Sequence, residues 1–363
     1  MKPKQSRDAL ALFALTLALI WAGPGAADSR ETAMSGRAPW LVGSTLMNPM
    51  SHDVLKKIKA RSPSLPDARI DSRGTVQGIQ AFCAGIGPDT PDIVAMSRRM
   101  RATEFERCSQ NGVTEIIEIP VGIEALVMAV SQKDESFDLT FDTLYRAIAA
   151  ELPEGDEFMP NGNRRWSDVN PKLPSSDIHF IVPSSALGAR GFAENRLLQG
   201  ACREMEAFKN IYEADERVQQ CIGLRKDGRL TEFGAPYDTQ AINALVTGHP
   251  GTVAIIPLRF ALDAADKVKV LKFEGVTPNR ESVGNGEYIA IRPIIYYVKR
   301  GHVKDYTGKG PVVGLREFIT EITRESAIGQ DGYLVPQGLV PLPDAKRAAV
   351  RDNALQLQPM TTR

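Results

Sequence analysis

The chain has 363 residues, 43% of them hydrophobic and 24% charged, which is enough to build two globular lobes. Its 44 basic residues are balanced by 44 acidic ones, so the formal net charge is zero. A neutral chain lacks an overall field that attracts polyanions, which excludes nucleic acid and acidic membrane surfaces as leading partners.

The first 27 residues have the composition of an export signal. Residues 1–7 are basic, residues 9–22 are apolar, and residues 25–27 supply the small side chains that precede a cleavage site. The apolar run is shorter than the roughly 20 residues of a transmembrane helix. We therefore expect cleavage near Asp28 and a periplasmic mature protein, with an uncleaved N-terminal anchor as the alternative.

The chain contains four cysteines without Cys-x-x-Cys spacing. In an exported protein an even number of cysteines favours disulfides over a metal site or a thiol nucleophile. Three pairings are possible, and we favour the one that closes two short local loops: Cys83 with Cys108, and Cys202 with Cys221. The four histidines are scattered, whereas a metal site needs several converging ligands, so we expect neither a metal nor a cofactor.

Three strand-like runs, each followed by a helix-like run, open the mature chain. The strand-like runs cover residues 40–42, 68–70 and 93–95, and the helix-like runs cover residues 50–60, 76–84 and 103–111. This alternation is typical of an α/β lobe with a largely parallel sheet. In such a sheet, ligands bind beyond the carboxyl ends of the strands.

Three turns rich in glycine and hydroxyl side chains lie between an apolar run and a helix-like run, at residues 43–45, 72–78 and 183–190. The start of a helix offers unpaired N–H groups and the positive end of a dipole, and a hydroxyl adds a further donor to an oxyanion. A single turn of this kind more often caps a helix. Three of them raise the question of a shared anion site.

The middle of the chain predicts a second lobe. The apolar run at residues 125–130 leads into a helix over residues 140–150, a loop over residues 153–176 and a strand at residues 179–182. A helix over residues 239–246 and a strand at residues 252–256 complete this lobe.

A long strand over residues 288–298 then returns to the first lobe, whose last helix covers residues 315–326. Two crossings between α/β lobes make a clamshell with a cleft between the lobes as the default ligand site. The predicted division is a signal peptide over residues 1–27, lobe 1 over residues 28–123 and 288–343, lobe 2 over residues 124–287, and a flexible tail over residues 344–363.

The order of the motifs resembles that of the periplasmic phosphate-binding proteins of ABC importers. The resemblance covers nearly all of the mature chain and is carried by residues 42–45, 74–83, 92–100, 222–228, 275–278, 286–293 and 331–333. It implies the α/β fold of a type II periplasmic binding protein, a clamshell of two α/β lobes joined by two crossover strands. It also implies binding of a tetrahedral oxyanion, delivery to an ABC permease in the inner membrane, and a monomer.

The residues expected to touch the anion match this family less well. Leu46 stands where a further threonine is expected, and Val76 and Gln77 replace glycines that allow close backbone approach. The third turn lacks the family's Ser-Gly-Thr hydroxyls. Three further positions depart from the family pattern: Glu124-Ala125 replaces Asp-Gly, and Ala235 stands in place of a carboxylate, although Asp238 is near.

Seven residues remain as candidate ligand donors. The hydroxyls are those of Ser44, Thr45, Thr75, Ser97 and Ser185, and the cations are Arg98 and Arg190. A guanidinium suits an oxyanion because its planar fork gives two parallel charge-assisted hydrogen bonds. The alternative reading is structural: the hydroxyls cap helices, and Arg98 pairs with a carboxylate such as Glu104.

The sequence thus favours a receptor for phosphate or a related oxyanion. One alternative is a diverged receptor for a larger or less charged ligand, suggested by Leu46, Val76, Leu187 and Tyr237 at expected contact positions. Another is a sensory or interaction protein without a ligand. No Gly-x-Ser-x-Gly, His-Glu-x-x-His or Walker motif occurs, so we do not expect an enzyme.

Overall fold

The computed structural model describes residues 36–154, 157–185, 187–205, 208, 219–234, 236–303 and 312–361. The predicted signal peptide lies outside these residues. None of the helices within them has the length and apolar character needed to cross a bilayer.

One large sheet runs through the molecule in the order β2-β1-β3-β13-β4-β10-β8-β9, with β11 paired to β4. Its strands are β1 Trp40–Gly43, β2 Arg69–Asp71, β3 Ile93–Met96, β4 Ile116–Ser131, β8 His179–Pro183, β9 Leu230–Phe233, β10 Thr252–Pro257, β11 Val268–Val270 and β13 Ile291–Lys299. The remaining strands form two small sheets: β5 Asp138–Leu139 with β12 Lys272–Phe273, and β6 Glu151–Glu154 with β7 Glu157–Pro160.

Helices pack against the strands of this sheet in both lobes. Those of the first part of the chain are α1 Asn48–Arg61, α2 Thr75–Phe82, α3 Ala102–Gln110, α4 Phe141–Ile148 and α5 Trp166–Val169. Those of the middle are α6 Gly188–Ala193, α7 Gln199–Glu204, α8 Tyr237–Thr247, α9 Leu258–Asp263 and α10 Arg280–Asn285. Those near the C-terminus are α11 Leu315–Ile322, α12 Glu325–Ile328 and α13 Asp344–Leu355.

Strand direction divides the sheet into two parallel blocks. In the first block β1 is parallel to both β2 and β3, and in the second β8 is parallel to both β9 and β10. The long strands β4 and β13 run between the blocks, antiparallel to each other. They are the two crossovers of the predicted clamshell.

Buried side chains form separate cores on the two sides of the crossovers. One core, in lobe 2, draws on residues 125–283 together with Tyr288, Ala290 and Val340. Lobe 1 has a core on each face of its sheet, because successive side chains of a strand point to opposite faces. Leu41 therefore lies in one of these cores and Val42 in the other.

Both favoured disulfides are present. Cys83 is bonded to Cys108, and Cys202 is bonded to Cys221. The first joins the end of α2 to α3. Each bond therefore lies within one lobe and leaves the connection between the lobes to the crossover strands.

The expectation of a flexible C-terminal tail is wrong for most of its length. Residues Asp344–Leu355 form α13, in which Ala354 is fully buried. Beyond this helix, the N–H of Met360 donates to the carbonyl of Ile116 at 2.7 Å. The C-terminal segment is therefore packed against lobe 1.

The loop predicted over residues 153–176 also contains regular structure. It includes part of the β6–β7 hairpin and the short helix α5, in which Trp166 is fully buried. The Trp166 indole donates to the carbonyl of Gly251 at 2.9 Å. This aromatic anchor fixes the segment to lobe 2.

Candidate functional site

The carboxyl ends of the two parallel blocks meet at the crossover strands. At the edge of lobe 1, Met96 of β3 pairs with Ile295 of β13. At the edge of lobe 2, Pro257 of β10 pairs with Leu126 of β4. The stretch of β4 and β13 between these pairs is the candidate floor of the cleft, and the turns that follow the parallel strands are its candidate rims.

Two of the predicted hydroxyl donors lie together on the lobe 1 rim. The Oγ1 of Thr75, the first residue of α2, is 3.4 Å from the Oγ of Ser97, which follows β3. Both side chains are half-buried. Their convergence follows from the parallel arrangement, because β2 and β3 lie on either side of β1 and all three strands end at the same edge of the sheet.

Close contact between α2 and β1 makes this arrangement possible. A Cβ added at Gly78 would lie 2.5 Å from the Cα of Gly43, and one added at Gly43 would lie 2.1 Å from the carbonyl oxygen of Ala95. Gly43 also has a φ of +123°, which favours glycine. These glycines bring the start of α2 against the ends of β1 and β3.

Ser44 and Thr45 occupy the same rim. Ser44 is 7% exposed, and its N–H donates to Ala95 O at 2.8 Å. Thr45 is exposed and begins the 3₁₀ turn that leads into α1. The Ser44 side chain makes no cap hydrogen bond, so its position at the rim is not explained by helix capping.

Arg98 turns toward a carboxylate of its own lobe. Its guanidinium donates to both oxygens of Glu104, at 2.8 and 2.6 Å, and to the carbonyl of Arg99 at 3.0 Å. Burial opposes ionisation of Glu104, but the hydrogen bonds from Arg98 and from the backbone of Arg101 prevail and lower its pKa. The pairing with Glu104 considered from the sequence is therefore the one observed.

Arg190 is also held by carboxylates. It is 8% exposed; its Nε donates to Glu194 at 2.7 Å, and one terminal nitrogen donates to Glu232 at 2.9 Å and to Pro183 O at 3.0 Å. Ser185 is exposed on the same turn after β8. The turn thus places both residues at the rim of lobe 2, with the Arg190 charge already balanced.

A buried ion pair, which the sequence analysis did not identify, lies on β4 and β13 at the candidate floor of the cleft. Glu124 of β4 and Arg292 of β13 are directly opposite in the ladder, are 4% and 3% exposed, and share a charge-assisted hydrogen bond. Burial raises the pKa of Glu124, while Arg292 opposes this shift. The available signal was a charged residue with apolar neighbours on both sides in each of two strands.

Asp238 and Arg259 from lobe 2 complete the charges near the floor. Asp238 lies in the first turn of α8, and Arg259 lies near the start of α9. Burial raises the pKa of Asp238 to about 6, an effect that Arg259 opposes and the nearby Glu124 reinforces. Arg259 donates to the carbonyl of Pro336 at 3.0 Å and lies 4.0 Å above the ring of Phe260.

The resulting arrangement suits hydrogen bonding to a small polar solute. Hydroxyls line one rim, and paired charges line the floor and the other rim. Among the residues that the structure describes, no three or more His, Cys, Asp or Glu side chains are grouped to hold a metal ion.

Comparison with known proteins identifies the class. A family model described as PBP superfamily domain matches residues 41–326, and the chain therefore belongs to the PBP superfamily. The resemblance to periplasmic phosphate-binding proteins is confirmed by curated relatives. The phosphate-binding protein PstS of Staphylococcus epidermidis is 24% identical over 246 residues, which cover 66% of this chain and 62% of that protein.

A second relative extends the match. The phosphate-binding protein PstS of Staphylococcus saprophyticus is 23% identical over 289 residues, covering 78% of each chain. By contrast, the match to the S. epidermidis protein spans less than two thirds of that relative's length.

Solved structures confirm the two-lobed α/β binding-protein fold. A possible phosphate binding protein from Planctomyces limnophilus has a TM-score of 0.63 at 17% identity, covering 88% of this chain and 98% of that one. An ABC-type phosphate transport receptor from Vibrio cholerae has a TM-score of 0.58 at 16% identity, covering 84% and 100%. At these identities the likeness establishes the fold.

Proposed function

We propose that the protein is a periplasmic solute-binding protein that binds phosphate or a related oxyanion in the cleft between its lobes. The observation that carries the proposal is the pairing of Thr75 and Ser97, 3.4 Å apart at the carboxyl edge of the parallel strands. Ser44 lies at the end of the central strand between them. The phosphate-binding relatives support the same ligand class.

The binding mechanism relies on neutral donors. The hydroxyls of Thr75 and Ser97 would donate to the anion oxygens, and the first N–H groups of α2 lack acceptors within the helix. The lobe 2 rim, with Ser185 and Arg190, would cover the anion when the lobes close. The predicted donors Thr75, Ser97, Ser185 and Arg190 would then all contact the same anion.

Calorimetric titration with phosphate, sulfate and methylphosphonate tests this proposal. We expect phosphate binding in the wild type and a loss of about tenfold in affinity for Thr75→Val or Ser97→Ala, since each removes one donor to a charged acceptor, worth roughly 1.5 kcal/mol. Thr247→Val is a matched control, because Thr247 is exposed at the far end of α8. Absence of heat at millimolar concentrations of all three anions would sink the proposal.

Delivery to an ABC permease in the inner membrane follows from the same proposal, with the protein acting as a periplasmic monomer. Co-purification with the permease in the presence of phosphate tests delivery. Light scattering of the exported protein tests the monomeric state, which a stable dimer in solution would contradict. The names of the relatives are those of binding proteins, which supports a role without catalysis.

A diverged receptor for a larger or less charged ligand is a second candidate. It is favoured by Arg98 and Arg190, because both guanidiniums already face carboxylates of their own lobes. Native mass spectrometry after mild purification tests this function. A co-purified organic ligand supports it, whereas protein that is empty or carries only phosphate opposes a tight-binding version.

A further inference from the structure

One hydrogen bond joins the two lobes outside the crossover strands. Arg259, near the start of α9 in lobe 2, donates from a terminal nitrogen to the carbonyl oxygen of Pro336 at 3.0 Å. Pro336 lies in the 3₁₀ turn Val335–Gln337 of lobe 1. Among the residues that the structure describes, every other hydrogen bond between the lobes involves β4, β13 or the segment 288–290 that leads into β13. The length of the Arg259 bond therefore depends directly on the angle between the lobes.

The turn that holds Pro336 is fixed to lobe 1. The side-chain amide of the next residue, Gln337, donates to Asp53 of α1 at 2.9 Å. Leu339, which follows the turn, is buried in a core of lobe 1. The acceptor of the Arg259 bond therefore moves with lobe 1.

The guanidinium of Arg259 is fixed to lobe 2 and lies close to the candidate floor of the cleft. It stacks 4.0 Å above the ring of Phe260 on the same helix. A Cβ added at Gly338 would lie 3.7 Å from Nε of Arg259 and 3.7 Å from Oε1 of Glu124. Arg259 thus bridges a narrow gap between α9 and the lobe 1 turn, beside the crossover strands.

The Arg259 bond and the Thr75–Ser97 pair lie at opposite edges of the ribbon formed by β4 and β13. Strand β3, which precedes Ser97, pairs with β13. Strand β10, which precedes Arg259, pairs with β4, and so does Val340. Because β4 and β13 also pair with each other, Arg259 lies beyond the outer edge of β4 and the hydroxyl pair beyond the outer edge of β13. A rotation that brings the lobes together at the β13 edge therefore separates them at the β4 edge.

The lobes are not bonded to each other at the hydroxyl rim. Thr75 and Ser97 contact one another, and within the described ranges no hydrogen bond or ion pair joins Ser97 or the turn 72–78 to lobe 2. Val76, next to Thr75, is 58% exposed. The structure thus has an open arrangement of the lobes, with the Arg259 bond formed at the opposite edge.

We propose that Arg259 is a positioning residue for ligand binding, which favours the open arrangement of the lobes through its bond to Pro336. Closure of the lobes over the anion, as in the proposed function on which this inference rests, breaks that bond. A hydrogen bond from a guanidinium is charge-assisted and stronger than a neutral one. A contact made only in the open arrangement lowers the population of the closed one, and with it the apparent affinity for the ligand.

Calorimetric titration of Arg259→Met with inorganic phosphate tests this inference. Methionine keeps an apolar stem over Phe260 and removes the donors. We expect the variant to bind phosphate about fivefold more tightly than the wild type, because loss of the bond favours the closed arrangement. Arg107→Met, which removes an exposed arginine on α3, should leave the affinity within about twofold, because salt screens an exposed charge.

The direction of the change separates this role from a structural one, since a damaged fold does not strengthen binding. Unchanged affinity would overturn the inference, and weaker binding would instead make Arg259 a ligand of the anion. Arg259→Ala provides the same test if Arg259→Met does not fold, as judged by circular dichroism.

Small-angle X-ray scattering separates this inference from the proposed function. Without phosphate, Arg259→Met should be more compact than the wild type, and the wild type should contract when phosphate is added. If neither protein binds phosphate, the proposed function fails, and the two ligand-free proteins still test Arg259. Equal radii of gyration for those two proteins would overturn the role given to Arg259.

Discussion

A single buried carboxylate, Asp92, organises the edge of lobe 1 that lies away from the cleft. It is fully buried and accepts from Arg37 at 2.5 Å, from the N–H of Trp40 at 2.7 Å, and from Nδ1 of His302 at 2.7 Å. The other His302 nitrogen lies 3.0 Å from the carbonyl of Ile86. Asp92 therefore joins the N-terminal segment to both β1 and the turn after β13.

Asp92→Asn is expected to lower the free energy of unfolding by about 3–5 kcal/mol, because it removes the buried charge that pairs with Arg37 and accepts hydrogen bonds from Trp40 N–H and the His302 ring. Urea unfolding followed by circular dichroism measures this change. Asp89→Asn provides a control three residues away, since Asp89 is exposed. Equal midpoints for the two variants would contradict the role given to Asp92.

At the scale of residues, the sequence indicated which side chains lie at the ends of the strands but not which groups those side chains pair with. Thr75 and Ser97 could be placed together because each follows a strand of one parallel sheet. Arg190 stays a candidate rim residue, and its partner Glu232 lies 42 positions away and belongs to β9. Such a pairing depends on strand order, which the local pattern does not contain.

At the scale of elements, α13 shows how tertiary packing stabilises a helix of weak amphipathic pattern. Arg347 is 5% exposed, and its Nε and a terminal nitrogen donate to Glu325, the latter at 2.8 Å. Ala354 is buried on the same helix. The basic and polar composition of this segment predicted fraying. That prediction failed because the buried face of α13 consists of an alanine and the stem of an arginine, which leave no apolar pattern in the sequence.

Substituting the buried alanine tests this packing. We expect Ala354→Asp to lower the free energy of unfolding by ~3 kcal/mol, because it places an unpaired charge against lobe 1. Ala348→Asp adds the same charge at an exposed position of the same helix and should change stability by less than about 1 kcal/mol. Thermal unfolding of the two variants makes the comparison, and equal losses would argue against a packed α13.

Strand β4 shows a second feature that the sequence pattern does not predict. Of its 16 residues, the sequence predicted only the apolar run at residues 125–130, and Pro120 and Gly122 interrupt the apolar pattern before that run. In the structure these residues form one continuous strand. Gly122 faces the segment at Leu339, whose side chain would lie 2.7 Å from a Cβ added at Gly122. The interruption therefore marks a close tertiary contact within a continuous crossover.

At the scale of the whole molecule, the Glu124–Arg292 pair lies on the only two strands that the structure shows to run between the parallel blocks, within the residues it describes. A buried ion pair contributes little net stability, but loss of one partner leaves an uncompensated charge. Both charges are therefore satisfied only when β4 and β13 are paired in this register.

Arg292→Met should destabilise the protein by about 3–5 kcal/mol, and adding Glu124→Gln should recover most of that loss, because no buried charge then remains. Urea unfolding of the wild type, the single variant and the double variant gives the coupling. A double variant no more stable than Arg292→Met would show that the two charges do not depend on each other.

The pairing between the two crossover strands is not uniform along their length. Their ladder shifts register between Ile294 and Ile295, so that Val121 has no direct partner. Pro120 and Pro293 flank this level and have no N–H to donate. Ladder hydrogen bonds resist relative motion of paired strands, so we expect rotation of one lobe against the other to cost least energy at this level, a few residues from Glu124.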